Sequence, residues 1–215
     1  MTDVPLTVKK FFETYPKRRF SKGEVLIHAP ENPKNIFYII EGRVSQYDIT
    51  TTGNEMVVNT FKPGAFFPMS LAINDPPNHY FFEASTPLVA NVAPAADAVQ
   101  FLKENPDVLF DLLARVYRGT DVVLRRMAHL MGGNAKNRLL FELLNASYRF
   151  GEQQTDGTLR ITLKESDLAK HSGLARETVN RVIKDLKTDG LIIVNKEGIF
   201  LTDASALEKI LGSEV

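Results

Sequence analysis

Between Pro106 and Met131 the chain has no further proline, and Leu109, Leu112, Val116, Val123, Met127 and Leu130 recur at mixed three-, four- and seven-residue intervals. That rhythm is the mark of an amphipathic helix. At 1.5 Å per residue, roughly 25 residues reach about 38 Å, longer than a small β domain is wide. A helix of that length overhangs its own domain. Its apolar stripe therefore predicts a two-stranded coiled coil between two copies of the chain. Gly132-Gly133-Asn134 follows, and paired glycines predict a helix stop with a hinge.

The residues before this helix have a different character. Val25-Leu26-Ile27, Ile36 to Ile40, Val44 to Tyr47, Met56-Val57-Val58, Phe81-Phe82 and Leu88-Val89-Ala90 are short β-rich runs. Gly and Pro turns such as Ser21-Lys22-Gly23, Glu41-Gly42 and Lys62-Pro63-Gly64 separate them. Strands at this spacing predict an antiparallel sandwich or roll. The residues after the helix are again different. Lys136 to Phe150 carries Leu139, Leu140, Leu143 and Leu144 on one side, two short helices follow a strand at Leu159–Leu163, and Leu191 to Leu201 reads as a β-hairpin. The expected organisation is α+β: an antiparallel β-roll over 1–105, a dimerisation helix and hinge over 106–132, and a winged helix-turn-helix over 133–215.

Charge and composition narrow the function classes. Lys plus Arg and Asp plus Glu both number 26, so no basic tail carpets nucleic acid, although a local basic face remains open. The absence of cysteine excludes disulfide scaffolds, thiolate zinc sites, thiolate-held iron–sulfur clusters and cysteine nucleophiles. The segment MTDVPLTVKKFF has no basic-then-apolar signal pattern, and no apolar run approaches the ~18 residues of a membrane span. The expectation is a soluble, cytoplasmic chain with no membrane partner.

The stretch Glu165 to Gly190, ESDLAKHSGLARETVNRVIKDLKTDG, carries the chemistry. Ala169 lies four residues before Gly173, and Val179 six after it. This is the helix-turn-helix spacing: close helix contact at the alanine, a left-handed turn at the glycine, an apolar anchor on the second helix. Ala175, Val179, Val182, Ile183 and Leu186 fall on one arc of that second helix, and Arg176, Glu177, Asn180, Arg181 and Lys184 on the opposite one. Arg, Glu and Asn are residue types able to read base edges. The predicted partner is double-stranded DNA with a palindromic site.

With FSKGEVLIHAPENPKNIFYIIEGRV, the FKPGAFF turn, the long helix and GLARETVNRVIKDLKTDGLI in view, nearly the whole chain resembles the cyclic-AMP receptor protein and FNR family of bacterial transcription regulators. The resemblance implies a cyclic-nucleotide-binding-like jelly roll and a homodimeric transcription regulator. It makes Arg176, Glu177 and Arg181 the base-contacting residues. Lys164, Ser166, Thr178 and the wing residue Lys196 match positions near phosphates, and Asn180 and Lys184 flank them. Ala175 replaces the serine often found there. Cyclic-nucleotide binders of the family carry a Gly-Glu pair after the FF turn and an Arg with a small hydroxyl residue before the next strand. Pro68-Met69 and Asn78-His79 stand there instead, so the carboxylate for ribose and the guanidinium for phosphate are both missing.

Other sensing chemistries fail the same inventory. FNR-type oxygen sensing needs cysteine, and the four histidines, His28, His79, His129 and His171, offer no pair at haem-ligand spacing. Neither a metal, a cofactor nor a catalytic residue is expected. Phe67, Pro68, Met69, Asn78 and His79 are candidates to line an apolar effector pocket, with an unknown small molecule or none as its occupant. The turns Thr51–Asn54 and Thr155–Gly157 match loops that family members use to touch RNA polymerase. The alternatives are a regulator that does respond to cyclic nucleotides, a cupin-like enzyme, and a protein-interaction module. A cupin needs a clustered His and carboxylate set, and the chain lacks an HxH pair.

Overall fold

The computed structural model describes residues 3–51 and 53–212; the expected polymerase-contacting turn at Thr51–Asn54 falls partly outside them, at Thr52. Asp3 accepts the N–H of Leu6 at 3.1 Å and so caps α1 (Val4–Glu13), which buries Val8 and Phe12. Eight strands follow: β1 (Lys17–Phe20), β2 (Val25–Ile27), β3 (Asn35–Glu41), β4 (Val44–Ile49), β5 (Glu55–Phe61), β6 (Phe66–Phe67), β7 (Phe81–Ala84) and β8 (Leu88–Pro94). α2 (Met69–Asn74) lies between β6 and β7, and α3 (Ala95–Glu104) follows β8. The strands pair antiparallel in two sheets, ordered β1-β8-β3-β6 and β2-β7-β4-β5.

The apolar run of β3 is explained by burial on both faces. Ile36 and Tyr38 join Val8, Phe12, Phe66, Met69, Phe101 and Val108, the side covered by helices. Phe37 and Ile39 join Phe67, Phe82, Leu88 and Val92 between the sheets. There the rings stack: Phe67 lies 5.6 Å from Phe37, 4.8 Å from Phe61 and 5.6 Å from Phe82, centroid to centroid. At the rim of its sheet, β1 exposes Lys17, Arg18 and Arg19.

α4 (Pro106–Gly132) is the long helix expected, and the chain divides into two compact units within it, one up to Gly119 and one from Thr120. In the first unit, Val108 is buried and Leu112 packs against the helix-side cluster of the roll. Leu112 therefore does not share the outward stripe assigned to it; mixed spacing alone could not tell the two apolar faces apart. Leu130 is half-buried and lines a small cleft with Arg126, His129, Arg138, Phe141, Glu142 and Ser172. Leu109, Val116, Val123 and Met127 do face outward, 42–55% exposed. They are joined by Leu113 and by Phe110, Tyr117, Leu124 and Met131, which recur every seven residues and are 58–85% exposed.

The second unit continues with α5 (Ala135–Phe150), β9 (Glu152–Gln153), β10 (Leu159–Ile161), α6 (Glu165–Ser172), α7 (Arg176–Thr188), β11 (Ile192–Asn195), β12 (Gly198–Leu201) and α8 (Ala204–Leu211). Its sheet is ordered β11-β12-β10-β9. α5 runs through the middle, with Leu139, Leu140, Leu143 and Leu144 fully buried against Ile161, Leu168, Val179, Ile183, Leu186 and Leu207. Val122 of α4 packs on the same core.

The corner between α4 and α5 is packed tightly. A Cβ on Gly133 would sit 2.5 Å from His129 O and 3.1 Å from Asn137 Cβ, so glycine there permits a close approach. At Gly132 an added Cβ would meet nothing, so of the two expected hinge glycines only Gly133 is closely packed. Nearby, Glu142 is 4% exposed and receives Arg126 at 2.6 Å on Oε1 and 2.9 Å on Oε2. Burial pushes the Glu142 carboxyl up, and the Arg126 charge pulls it back. His171 Nδ1 lies 3.9 Å from Glu142 Oε2, beyond hydrogen-bond range. Burial, reinforced by Arg126, holds the His171 imidazole down to about 4.

A pH prediction follows from that imidazole. The unfolded chain takes up a proton on His171 near its usual 6.5, while the folded chain resists until about 4. The stabilising effect of neutral His171 is complete above the unfolded value. It declines by ~3 kcal/mol as pH falls across this window. Thermal melts of wild type and His171→Gln from pH 7 to 4 should show the steeper loss in wild type. Equal slopes would refute the assignment.

Candidate nucleic-acid interface

Gly173 ends α6 with φ +64, the left-handed turn the sequence called for, and α7 begins three residues later. Val179, Val182, Ile183 and Leu186 are buried and fix the helix on its core. Ala175, expected on that packed arc, is instead the exposed N-cap residue, with no side-chain oxygen to cap the helix. Arg176, Glu177, Asn180, Arg181 and Lys184 are all exposed on the outer side of α7. The helix thus presents two forked guanidiniums, a carboxylate and an ammonium on the side opposite its anchored face.

The flanking residues fall in two groups. Lys164 is exposed at the N-cap of α6, where its N–H donates to Asp167 Oδ2 at 3.0 Å. Lys196 is exposed in the β11–β12 turn. That turn is held by Asn195 Oδ1, which accepts the Glu197 N–H at 2.8 Å, and by Arg160 Nε, which donates to Glu197 O at 3.1 Å. Arg160 was not among the residues expected from sequence; it sits on β10, 37 positions from its acceptor. Ser166 and Thr178 are half-buried.

Asn180 has a different task from its neighbours. With its amide turned so that both ends are satisfied, Nδ2 donates to Glu165 Oε2 at 2.8 Å and to Arg176 O at 3.2 Å. The side chain braces α7 against the start of α6.

The five candidate pocket residues have different surroundings. Phe67 lies in the aromatic stack between the sheets, whereas Met69 lies in the helix-side cluster. Pro68, between them in sequence, is buried, and His79 is exposed. Asn78 is 1% exposed, and its amide is spent on backbone. Nδ2 donates to Glu31 O and Tyr80 O at 3.0 Å and to His28 O at 3.3 Å, and Oδ1 accepts the Tyr80 N–H at 3.0 Å. These contacts pin the loop. Sequence position alone could not reveal that the amide was already in use.

Comparison with known proteins agrees with this architecture. Residues 17–105 match the family of cyclic nucleotide-binding domains, and residues 137–210 match the Crp-like helix-turn-helix domain. The transcriptional regulator SdrP of Thermus thermophilus is 28% identical over 198 residues, covering 90% of this chain and 93% of that protein. The cAMP-activated global transcriptional regulator CRP of Pasteurella multocida is 26% identical, covering 86% of this chain and 90% of that protein. A crystal structure of a CRP/FNR family transcriptional regulator from Thermus thermophilus superposes with a TM-score of 0.74 at 25% identity, covering 93% of this chain and all of that one. No helix among the described residues is long and apolar enough to cross a membrane. With its β-roll, long helix and winged helix-turn-helix, the chain joins a cyclic nucleotide-binding domain to a Crp-like helix-turn-helix domain and is similar over nearly its whole length to transcription regulators of the CRP/FNR family.

Proposed function

We propose that this regulator is a homodimer that reads a palindromic DNA site through α7 and does not take a cyclic nucleotide as its effector. The observation that carries the DNA reading is the exposed row of Arg176, Glu177 and Arg181 on a helix whose opposite face is fully packed. Each Arg can donate twice to guanine O6 and N7, and Glu177 can accept from a cytosine amino group. Lys164, Lys184 and Lys196, with Ser166 and Thr178, approach phosphates and set the register. Two heads on a two-fold axis address half-sites about 10 base pairs apart or a multiple of that.

Selection from random DNA with wild type, Arg181→Ala and Lys196→Ala tests this. Arg181→Ala should relax preference at one base pair and cost about 1–3 kcal/mol. Lys196→Ala should weaken all sequences alike and flatten the salt dependence by about one unit. Unchanged base preferences in Arg181→Ala would make that residue a backbone contact.

The dimer rests on the outward face of α4, where Leu109, Leu113, Val116, Val123 and Met127 keep coiled-coil spacing. Glutamate at both Val116 and Val123 should give monomers on a sizing column. A wild-type chain that elutes as a monomer at micromolar concentration would overturn the pairing.

The exclusion of cyclic nucleotides rests on charge. A cyclic phosphate is a permanent anion, and burying it without a cation is costly. Pro68, Met69, Asn78 and His79 supply no guanidinium, and Arg115 of α4 is engaged with Asp111 Oδ2 at 2.7 Å and Gly64 O at 3.4 Å. The family match over residues 17–105 is what favours the opposite reading. Calorimetry with cyclic AMP and cyclic GMP should show no binding at micromolar concentrations; a micromolar affinity for either restores the nucleotide-responsive function.

A further inference from the structure

The charged groups at the α4–α5 corner are arranged as a grip around the buried Glu142. Arg126 extends from α4 with two parallel bonds to Glu142 of α5, and Arg138 of α5 reaches back to donate to Leu130 O at 2.8 Å. The His129 ring rests on Phe141 at 5.0 Å, and Gly133 N–H closes on His129 O at 2.9 Å. Glu142 also faces His171 of α6, the first helix of the helix-turn-helix. One buried carboxylate therefore stands between the end of α4 and the pair of helices that carries the DNA face. All these residues belong to the unit that begins at Thr120.

Stability alone is a weak reason for such a pair. A buried ion pair often contributes no more than two well-packed apolar side chains of the same size, because both charges must be stripped of water. What a two-pronged guanidinium–carboxylate pair adds is geometry: it accepts one distance and one orientation.

We propose that Glu142, gripped by Arg126, is a positioning residue for DNA recognition: it locks the helix-turn-helix to the last turns of α4, so that the paired heads present α7 at one fixed separation. This rests on the DNA reading and the pairing proposed above. Glu142 touches no base or phosphate in this role and acts through the corner.

The test compares the double substitution Arg126→Leu with Glu142→Leu, and separately Arg126→Lys, against wild type. The readouts are melting temperature, affinity for the DNA selected by wild type, and the distribution of half-site distances recovered from random DNA. The apolar pair should keep the melting temperature within about 4 °C of wild type. Its DNA affinity should fall about tenfold, and the recovered half-site distances should spread beyond the wild-type value. Arg126→Lys keeps a charge beside Glu142 without the paired hydrogen bonds, and should spread the distances to a smaller degree. A stably folded double variant that recovers the wild-type distance at wild-type affinity overturns the proposal alone. A wild-type chain that recovers no paired half-sites overturns it together with the DNA reading.

Discussion

Apolar side chains leave water only when something lies against them, and leaving a Leu or Phe exposed forgoes about 1.5–3 kcal/mol. α4 presents this problem along its whole length. Val108 and Leu112 are absorbed by the roll, and Val122 by the C-terminal core. Leu109, Phe110, Leu113, Val116, Tyr117, Val123, Leu124, Met127 and Met131 remain outside. A stripe of that size is too large to be an incidental surface feature. The proposed pairing rests on the stripe's coiled-coil spacing, and the two-fold symmetry of the proposed DNA site would follow from that pairing.

The two units solve their interiors differently. Between the sheets of the roll, the filling is aromatic, with Phe37, Phe61, Phe67 and Phe82 stacked on one another. In the C-terminal unit the core is aliphatic, and one carboxylate, Glu142, is carried into it with a guanidinium as escort. The stacked rings leave the space between the sheets filled by apolar side chains. A bidentate pair of this kind tolerates only a narrow range of geometries, as the proposed lock at the α4–α5 corner requires.

Much of this was legible in the sequence because local chemistry and tertiary packing agree. The Gly- and Pro-punctuated runs became β2, β3, β4, β5, β7 and β8, and Gly173 sits in the left-handed turn that its spacing from Ala169 and Val179 demanded. What escaped notice has physical reasons. β1 is Lys-Arg-Arg-Phe, a strand held by pairing to β8 with almost no apolar signal of its own. β6 is two residues long, and α1 and α8 are short amphipathic helices that give only a few residues each to the core, Val8 and Phe12 in one and Leu207 and Leu211 in the other. Asn78 and Asn180 look like surface or binding residues until their amides are traced to backbone and to Glu165. Arg126 and Glu142 are 16 residues apart, and no local pattern joins them.

The basic rim strand has a consequence for how this chain meets others of its kind. An open sheet edge is a template for further strands, and β1 lies at such an edge. Lys17, Arg18 and Arg19 stand along it with their charges in water. An identical strand arriving alongside would bring the same charges into register, at the spacing where like charges repel. Extension of this sheet from its β1 edge by a second copy is thereby opposed.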